Sequence, residues 1–240
     1  MLVVLLFYLP HDYYGDYSMD SIVKDLNLRF DHAALKSEVN EKAILKLCNE
    51  AMDHNFYSVA VNPVWTKIAA DALQGSSVKV LSVSGFPLGA ARTDIKVIEA
   101  VKGVSDGATE IDMVANIGWA VSGMWKEVEE EIRIVRENLP HNVLLKVIIE
   151  AGKLTIDQQT KATKCVINAG AQFVKTSTGF FGGATALQVS TLVSAANGNI
   201  EVKASGGIRS LSQCRELLEA GASRLGSSAS VDIMEELSKG

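Results

Sequence analysis

The chain has 240 residues, 48% hydrophobic and 21% charged, which leaves room for one large buried core and excludes disordered, collagen-like and disulfide-scaffold classes. A formal net charge of −5 supplies no basic field to hold a nucleic-acid backbone. The three cysteines, Cys48, Cys165 and Cys214, are odd in number and far apart, so they form neither a metal nor a redox pair, and a reducing, cytoplasmic setting is expected.

The first ten residues, MLVVLLFYLP, are apolar but precede the first basic residue, Lys24, and are broken by Pro10, His11 and Asp12. They are too short to span a bilayer and lack the cationic start of a secretory signal. Residues 1–18 are therefore read as an extension, with Met19 as an alternative natural start and the domain over residues 19–240. From Leu28 onward, short apolar runs alternate with amphipathic stretches, punctuated by Gly, Asn and Asp. The expected strands are Leu28–Asp31, Tyr57–Val61, Val78–Ser84, Thr109–Ala115, Val143–Glu150, Phe173–Thr178, Ile200–Ser205 and Arg224–Ser227. The expected helices are Glu41–His54, Val64–Leu73, Thr93–Ser105, Trp125–Asn138, Ile156–Ala169, Ala184–Ala195, Leu211–Ala220 and Ala229–Leu237. Asp157, after Thr155 and Ile156, and Ser210, before LSQCRELL, sit where short polar side chains favour a helix start. Eight strand–helix repeats predict an α/β fold, a single-domain (β/α)8 TIM barrel. An open doubly wound sheet has the same alternation, but no G-x-G-x-x-G follows the first strand.

Strands of a parallel sheet are covered on both faces and should be nearly all apolar. Four are not: TEIDMVA carries Asp112, VLLKVIIE carries Lys146 and ends in Glu150, FVKTST carries Lys175 and IEVKASG carries Lys203. Singly, each could be a lysine snorkelling out or half of a structural ion pair. Together they predict a polar, partly hydrated site inside the barrel, because a buried unpaired charge costs several kcal/mol. Strand alternation puts Lys175 with Ser177, and Lys203 with Ser205, on one face, with Phe173 lower on the same side.

Lysines side by side have a specific use. An amine attacks a carbonyl only when neutral, and the ordinary lysine pKa of about 10.4 must fall to roughly 7–8 for that. A second ammonium about 5 Å away supplies most of the shift, roughly 3 kcal/mol, and partial desolvation supplies the rest. The product would be a protonated Schiff base, an electron sink for making or breaking an adjacent carbon–carbon bond. Asp112 would move the protons.

FVKTSTG, EVKASGGIR, TEIDMV, LLKVIIE and FDHAALK resemble the signature segments of the deoxyribose-phosphate aldolases, class I aldolases on a (β/α)8 barrel, from about Asp20 to the C-terminus. The resemblance implies that Lys175 forms the Schiff base, that Lys203 tunes it and joins the proton relay, that Asp112 serves in proton transfer, and that Lys146 lies close by. It implies reversible cleavage of 2-deoxy-D-ribose 5-phosphate to acetaldehyde and D-glyceraldehyde 3-phosphate, within deoxyribonucleoside catabolism. No cofactor or metal is implied, because the iminium withdraws the electrons. Ala33 stands where the family often has threonine, Ala60 where it often has cysteine, and Phe180 where some members carry a phosphate-holding lysine.

Gly206 and Gly207 in SGGIRS, and Gly226, Ser227 and Ser228 in GSSAS, sit where barrels build a phosphate site from the loops after strands 7 and 8. The alternative is that these glycines serve only tight turns. Asp31, Thr178, Gly179 and Arg209 complete the expected substrate contacts. His32 is a candidate for a hydrogen bond in the site or for a structural role, and His11, His54 and His141 are expected at the surface or at helix ends. Trp65, Trp119 and Trp125 are read as packing groups. The expected partners are a small sugar phosphate and aldehydes, with no nucleic acid and no membrane, and a homodimer is left open. Rival readings are a phosphate-binding isomerase using acid–base chemistry alone and a non-catalytic sugar-phosphate sensor. Neither gives Lys175 and Lys203 a task.

Overall fold

Eight parallel strands pair in chain order, and the last returns to the first to close a barrel. They are β1 Phe30–Ala34, β2 Ser58–Val61, β3 Lys79–Ser84, β4 Glu110–Val114, β5 Leu144–Ile148, β6 Phe173–Lys175, β7 Glu201–Ser205 and β8 Arg224–Ser227. The computed structural model describes residues 22–239, so the expected extension over residues 1–18 lies outside the described residues. The helices are α1 Glu41–Asp53, α2 Thr66–Ala72, α3 Thr93–Ser105, α4 Ile117–Val121, α5 Trp125–Glu137, α6 Ile156–Asn168, α7 Ala186–Ala196, α8 Leu211–Glu219 and α9 Ser230–Lys239. The expected (β/α)8 architecture is the one observed.

Local chemistry explains where the helices begin. Thr155 accepts from Gln158 N while the Gln158 side chain accepts from the Thr155 N–H, a reciprocal cap that Thr185 and Gln188 repeat at α7. Ser210 accepts from Gln213 N at α8. Boundaries differ from expectation in several places, and β5 and β6 are shorter than expected, ending at Ile148 and Lys175 rather than at Glu150 and Thr178. The first strand starts at Phe30 rather than Leu28, because Leu26–Arg29 forms a 3-10 turn that buries Leu26 and leaves Leu28 in solvent. The second helix is split by a 3-10 turn over Pro63–Trp65. The short α4, capped by Asn116 through Trp119 N, was not anticipated, because five residues are too few to display a helical period.

The hydrophobic core lies between strands and helices. Outward-facing strand residues such as Val59, Ile111, Met113, Val147, Val174, Val202 and Leu225 belong to the main apolar cluster, with Ile44, Ile132 and Val189 from the helices. The alternate residues point to the axis. There Ala60, Leu81 and Val83 form a small apolar patch on the β2–β3 side, and most other inward positions are polar.

One charged pair sits in the outer layer. Lys96 of α3 donates to Glu131 Oε1 of α5 and to Val114 O, both at 2.8 Å, and Glu131 Oε2 accepts from Asn116 N at 2.9 Å. Both side chains are fully buried. Burial pushes the Lys96 amine down and the Glu131 carboxyl up, each against its partner's pull. The pair ties the end of β4 to two helices and holds the strand that carries Asp112. Lys96→Met alone should lower unfolding stability by about 3–5 kcal/mol, because it leaves a buried carboxylate unpaired, and Lys96→Met with Glu131→Leu should regain part of that loss. Urea unfolding of the two variants measures the difference, and a single variant as stable as the parent would contradict it.

Candidate active site

In-register pairing brings the odd charges together. Lys175 of β6 is the strand partner of Lys203 on β7, and Asp112 of β4 that of Lys146 on β5. Asp112 Oδ2 accepts from Lys175 Nζ and from Lys203 Nζ, each at 2.7 Å, and Lys146 Nζ lies 3.3 Å from its other oxygen. Lys203 Nζ is also 2.5 Å from Asp31 Oδ2. All four candidate catalytic side chains, Lys175, Asp112, Lys203 and Lys146, therefore form one buried cluster. Phe173 sits below, with its ring 5.8 Å from Lys146 Nζ.

Beneath this group is a second charged layer that the sequence analysis missed. Arg224 Nη1 donates to Asp31 Oδ1 at 2.9 Å, its guanidinium stacks 3.4 Å from the centre of the Tyr57 ring, and Lys146 pairs with Glu110. Ser58 Oγ donates to Asp31 Oδ1 at 2.7 Å. Glu110 could have been found, since it shares the inward face with Asp112 two residues on. Arg224 opens a short strand and stands two residues before Gly226, a weak signal.

The electrostatics follow from this crowding. Four basic side chains, Lys146, Lys175, Lys203 and Arg224, face three carboxylates, Asp31, Glu110 and Asp112. Burial opposes charge on Asp112, yet Lys175, Lys203 and Lys146 hold its carboxyl well below the usual range. Asp31 is held low in the same way by Lys203, Lys146 and Arg224. Burial alone would lower Lys146, but Asp112, Glu110 and Asp31 more than offset it and raise the amine. Lys175 is the exception. Its amine is lowered to about 8: burial pushes it down most, Asp112 pulls it back up, and the Lys203 ammonium adds to the lowering. The neighbouring ammonium was expected to supply the larger share of this lowering. Burial is the larger cause, because the carboxylate held between the two lysines offsets much of their repulsion.

The barrel's C-terminal mouth opens as a cavity of about 480 Å³, lined by Asp31, Lys175 and Lys203 from the cluster and by Thr178, Gly179, Gly206, Gly207, Arg209, Gly226, Ser227 and Ser228 from the loops. Other surface depressions of equal or larger volume lie elsewhere, two against α6, α7 and the loops at the N-terminal ends of β6–β8 and one against α8 and α9, and hold none of the clustered charges. The loops after β6 and β7 touch backbone to backbone: a Cβ on Gly206 would fall 2.9 Å from Gly179 Cα. Gly226 has another reason to lack a side chain, since a Cβ there would meet Ser205 Cβ at 2.8 Å and Lys203 Cε at 3.2 Å. The Ser227 hydroxyl is spent within the fold, donating to Ile208 O and accepting from Ala229 N. Ser177 Oγ donates to Ser205 O while Ser205 Oγ donates to Ser177 O, a clasp between the two lysine strands. Lys36, after β1, also lines the mouth and was missed. Phe180 packs edge-on against Phe86 at 5.4 Å.

His32 does not enter the site. It faces α1, 3.2 Å from Glu50 Oε2 and against the Phe56 ring. His54 ends α1 and His141 is exposed, as expected, while His11 lies outside the described residues. The three tryptophans are partly buried packing groups. Among the described residues, no group of three or more His, Cys, Asp or Glu is arranged to hold a metal ion, and no helix is long and apolar enough to cross a membrane.

The chain resembles known proteins in sequence and in fold. The model of the DeoC/LacD family aldolases matches residues 26–232. A deoxyribose-phosphate aldolase of Clostridium kluyveri is 45% identical over 214 residues, covering 89% of this chain and 98% of that protein. One from Desulfitobacterium hafniense is 47% identical over 206 residues, covering 85% and 94%. Among solved structures, the aldolase QR15 superposes with a TM-score of 0.85 at 41% identity, covering 90% of this chain and 96% of that one. A tetrameric deoxyribose phosphate aldolase from Aeropyrum pernix gives 0.82 at 31% identity, covering 92% and 96%.

The charge arrangement makes a pH-dependent statement. Lys175 should react with a small aldehyde with half-maximal rate near pH 8. In Lys203→Leu the lowering ammonium is gone while Asp112 remains, so the midpoint should move up and the rate at pH 7 should fall. Reductive trapping across pH 6–11 tests it, and an unmoved midpoint would remove Lys203 from the tuning role.

Proposed function

Since the chain belongs to the DeoC/LacD family of aldolases, we propose that it cleaves 2-deoxy-D-ribose 5-phosphate reversibly, through a Schiff base on Lys175, to acetaldehyde and D-glyceraldehyde 3-phosphate. The observation that carries this reading is Lys175 itself. It is a buried amine lowered to about 8 that borders the cavity and shares a carboxylate with a second lysine.

In the cleavage direction, the neutral Lys175 amine adds to the C1 aldehyde of the open-chain sugar and loses water to give an iminium. A base takes the proton of the C3 hydroxyl, the C2–C3 bond breaks, and its electron pair flows into the iminium, leaving an enamine on Lys175. C3 departs as the aldehyde carbon of glyceraldehyde 3-phosphate. Protonation of the enamine carbon and hydrolysis then release acetaldehyde and restore the amine. Asp112 is so strongly held as an anion that it keeps a proton poorly, so its part is to stabilise the iminium and pass protons along its bond to Lys203. Lys146 locks Asp112 from the far side.

The phosphate end would rest on the N–H groups of Gly206, Gly207 and Ser228 at the approach to α9, with Arg209 and Lys36 as flanking cations. Those two cations compensate for the aromatic Phe180. Thr178 and Gly179 would border the sugar, and Gly226 and Ser227 would shape the floor of the phosphate loops. Such an enzyme acts in the breakdown of deoxyribonucleosides, in the cytoplasm.

Borohydride reduction with acetaldehyde should add an ethyl group at Lys175 and at no other lysine, read by peptide mass analysis. Label on Lys146 or Lys203 would reassign the nucleophile, and no label would end the Schiff-base reading. Remote binding energy at the phosphate should also make kcat/KM for the 5-phosphate exceed that for free deoxyribose by a large factor. Ser228→Asp should raise KM for the phosphorylated sugar far more than for the free one, and equal kcat/KM for both sugars in the parent would show that these loops hold no phosphate.

A further inference from the structure

Glu150, the last residue of VLLKVIIE, takes no part in the ion cluster. It follows β5 in a left-handed conformation, φ 47° and ψ 59°, which is strained for a residue with a Cβ and, where it persists, suggests a task for the side chain. Its neighbours keep the strand pairing going: Ile149 N donates to Lys175 O and Ala151 N to Thr176 O. The bend at Glu150 turns its buried carboxylate onto Thr178, three residues beyond the nucleophile. Oε2 accepts from Thr178 N at 3.1 Å and from Thr178 Oγ1 at 2.7 Å.

These contacts set the direction of a proton. Oε2 receives the Thr178 N–H and is therefore an acceptor, so the proton between it and Oγ1 comes from the threonine. Phe180 N donates to the same Oγ1 at 3.2 Å. A hydroxyl has one proton and two lone pairs. The proton and one lone pair are used, which leaves one lone pair on a residue that lines the cavity. We infer that Glu150 is a positioning residue that fixes the Thr178 hydroxyl as a pure acceptor toward the cavity, so that the site selects a sugar bearing a hydroxyl at that point. A carbonyl or ether oxygen there would meet a lone pair with a lone pair. A site built to bond a substrate hydroxyl discriminates strongly against analogues without it. This inference rests on the aldolase reading, and it separates the handling of the sugar from the chemistry at the amine.

Acetaldehyde has no hydroxyl, and this makes the test. Glu150→Ala should lower kcat/KM for 2-deoxyribose 5-phosphate by about 10²-fold, the scale of a misplaced contact, while trapping of acetaldehyde at Lys175 stays within about threefold of the parent. Glu150→Gln offers an oxygen at the same reach and should keep at least about a tenth of the activity. Glu150→Asn accepts the left-handed backbone but is one carbon too short, and should behave like alanine. Thr178→Val removes the hydroxyl alone and should reproduce the alanine result, which covers the case in which Glu150→Ala does not fold. Sugar cleavage at the parent rate in Glu150→Ala or Thr178→Val would overturn the inference. So would trapping that falls in step with cleavage, or Asn equal to Gln, since either would make Glu150 a backbone element only. Absence of acetaldehyde trapping in the parent would instead defeat the Schiff-base reading on which the inference stands.

Discussion

The site depends on one carboxylate held between three ammonium groups. Asp112 is bonded through a single oxygen to Lys175 and Lys203, with Lys146 against its other oxygen. Without an anion at that point, three lysines could not share the interior of a barrel, because each buried charge needs a partner. With it, three of the four basic groups are compensated by three carboxylates and one is left over. The interior relieves that imbalance most readily by letting a lysine lose its proton. Lys175, whose amine is lowered, borders the cavity.

Such a polar interior is tolerable because the barrel does not depend on it for cohesion. Outward strand residues and the helices form the apolar layer, so the axis is free to hold chemistry. Even so, the lower charged layer is closely paired: Arg224, Asp31, Ser58, Glu110 and Lys146 contact one another and act as a floor for the reacting group, with Glu110 Oε1 left without a hydrogen bond. The outer Lys96–Glu131 pair plays a comparable part from the other side of β4. Asp112 is thus held on a strand that is pinned from within and from without.

At the mouth, precision comes from backbone contact. The loops after β6 and β7 approach so closely at Gly179 and Gly206 that neither could carry a Cβ without moving the other. The serine clasp between Ser177 and Ser205, and the hold of Glu150 on Thr178, continue the same coupling one residue at a time. The two lysine strands and their loops therefore behave as one unit. The opposite wall, with Ala60, Leu81, Val83 and Phe86, is apolar.

Much of this was legible in the order of residues. The alternation of apolar runs and amphipathic stretches, the helix starts marked by Asp157 and Ser210, and the misplaced charges on four strands are local signals. They determined the barrel and the lysine–aspartate group, because helix and strand periods and the cost of burying a charge need no knowledge of distant parts. Other features had no local signature. His32 looks like a site residue next to Asp31, but a strand alternates its faces, and the tertiary structure turns it to α1. Arg224 and Lys36 join the interior or its rim only because closure sets β8 beside β1 and β7 and brings their levels together. The share of burial in the lowered Lys175 amine, and the turn of Glu150 onto Thr178, likewise depend on how strands from distant parts of the chain are staggered around one axis. Periodicity along a strand says which way a side chain points; only barrel closure decides what it meets.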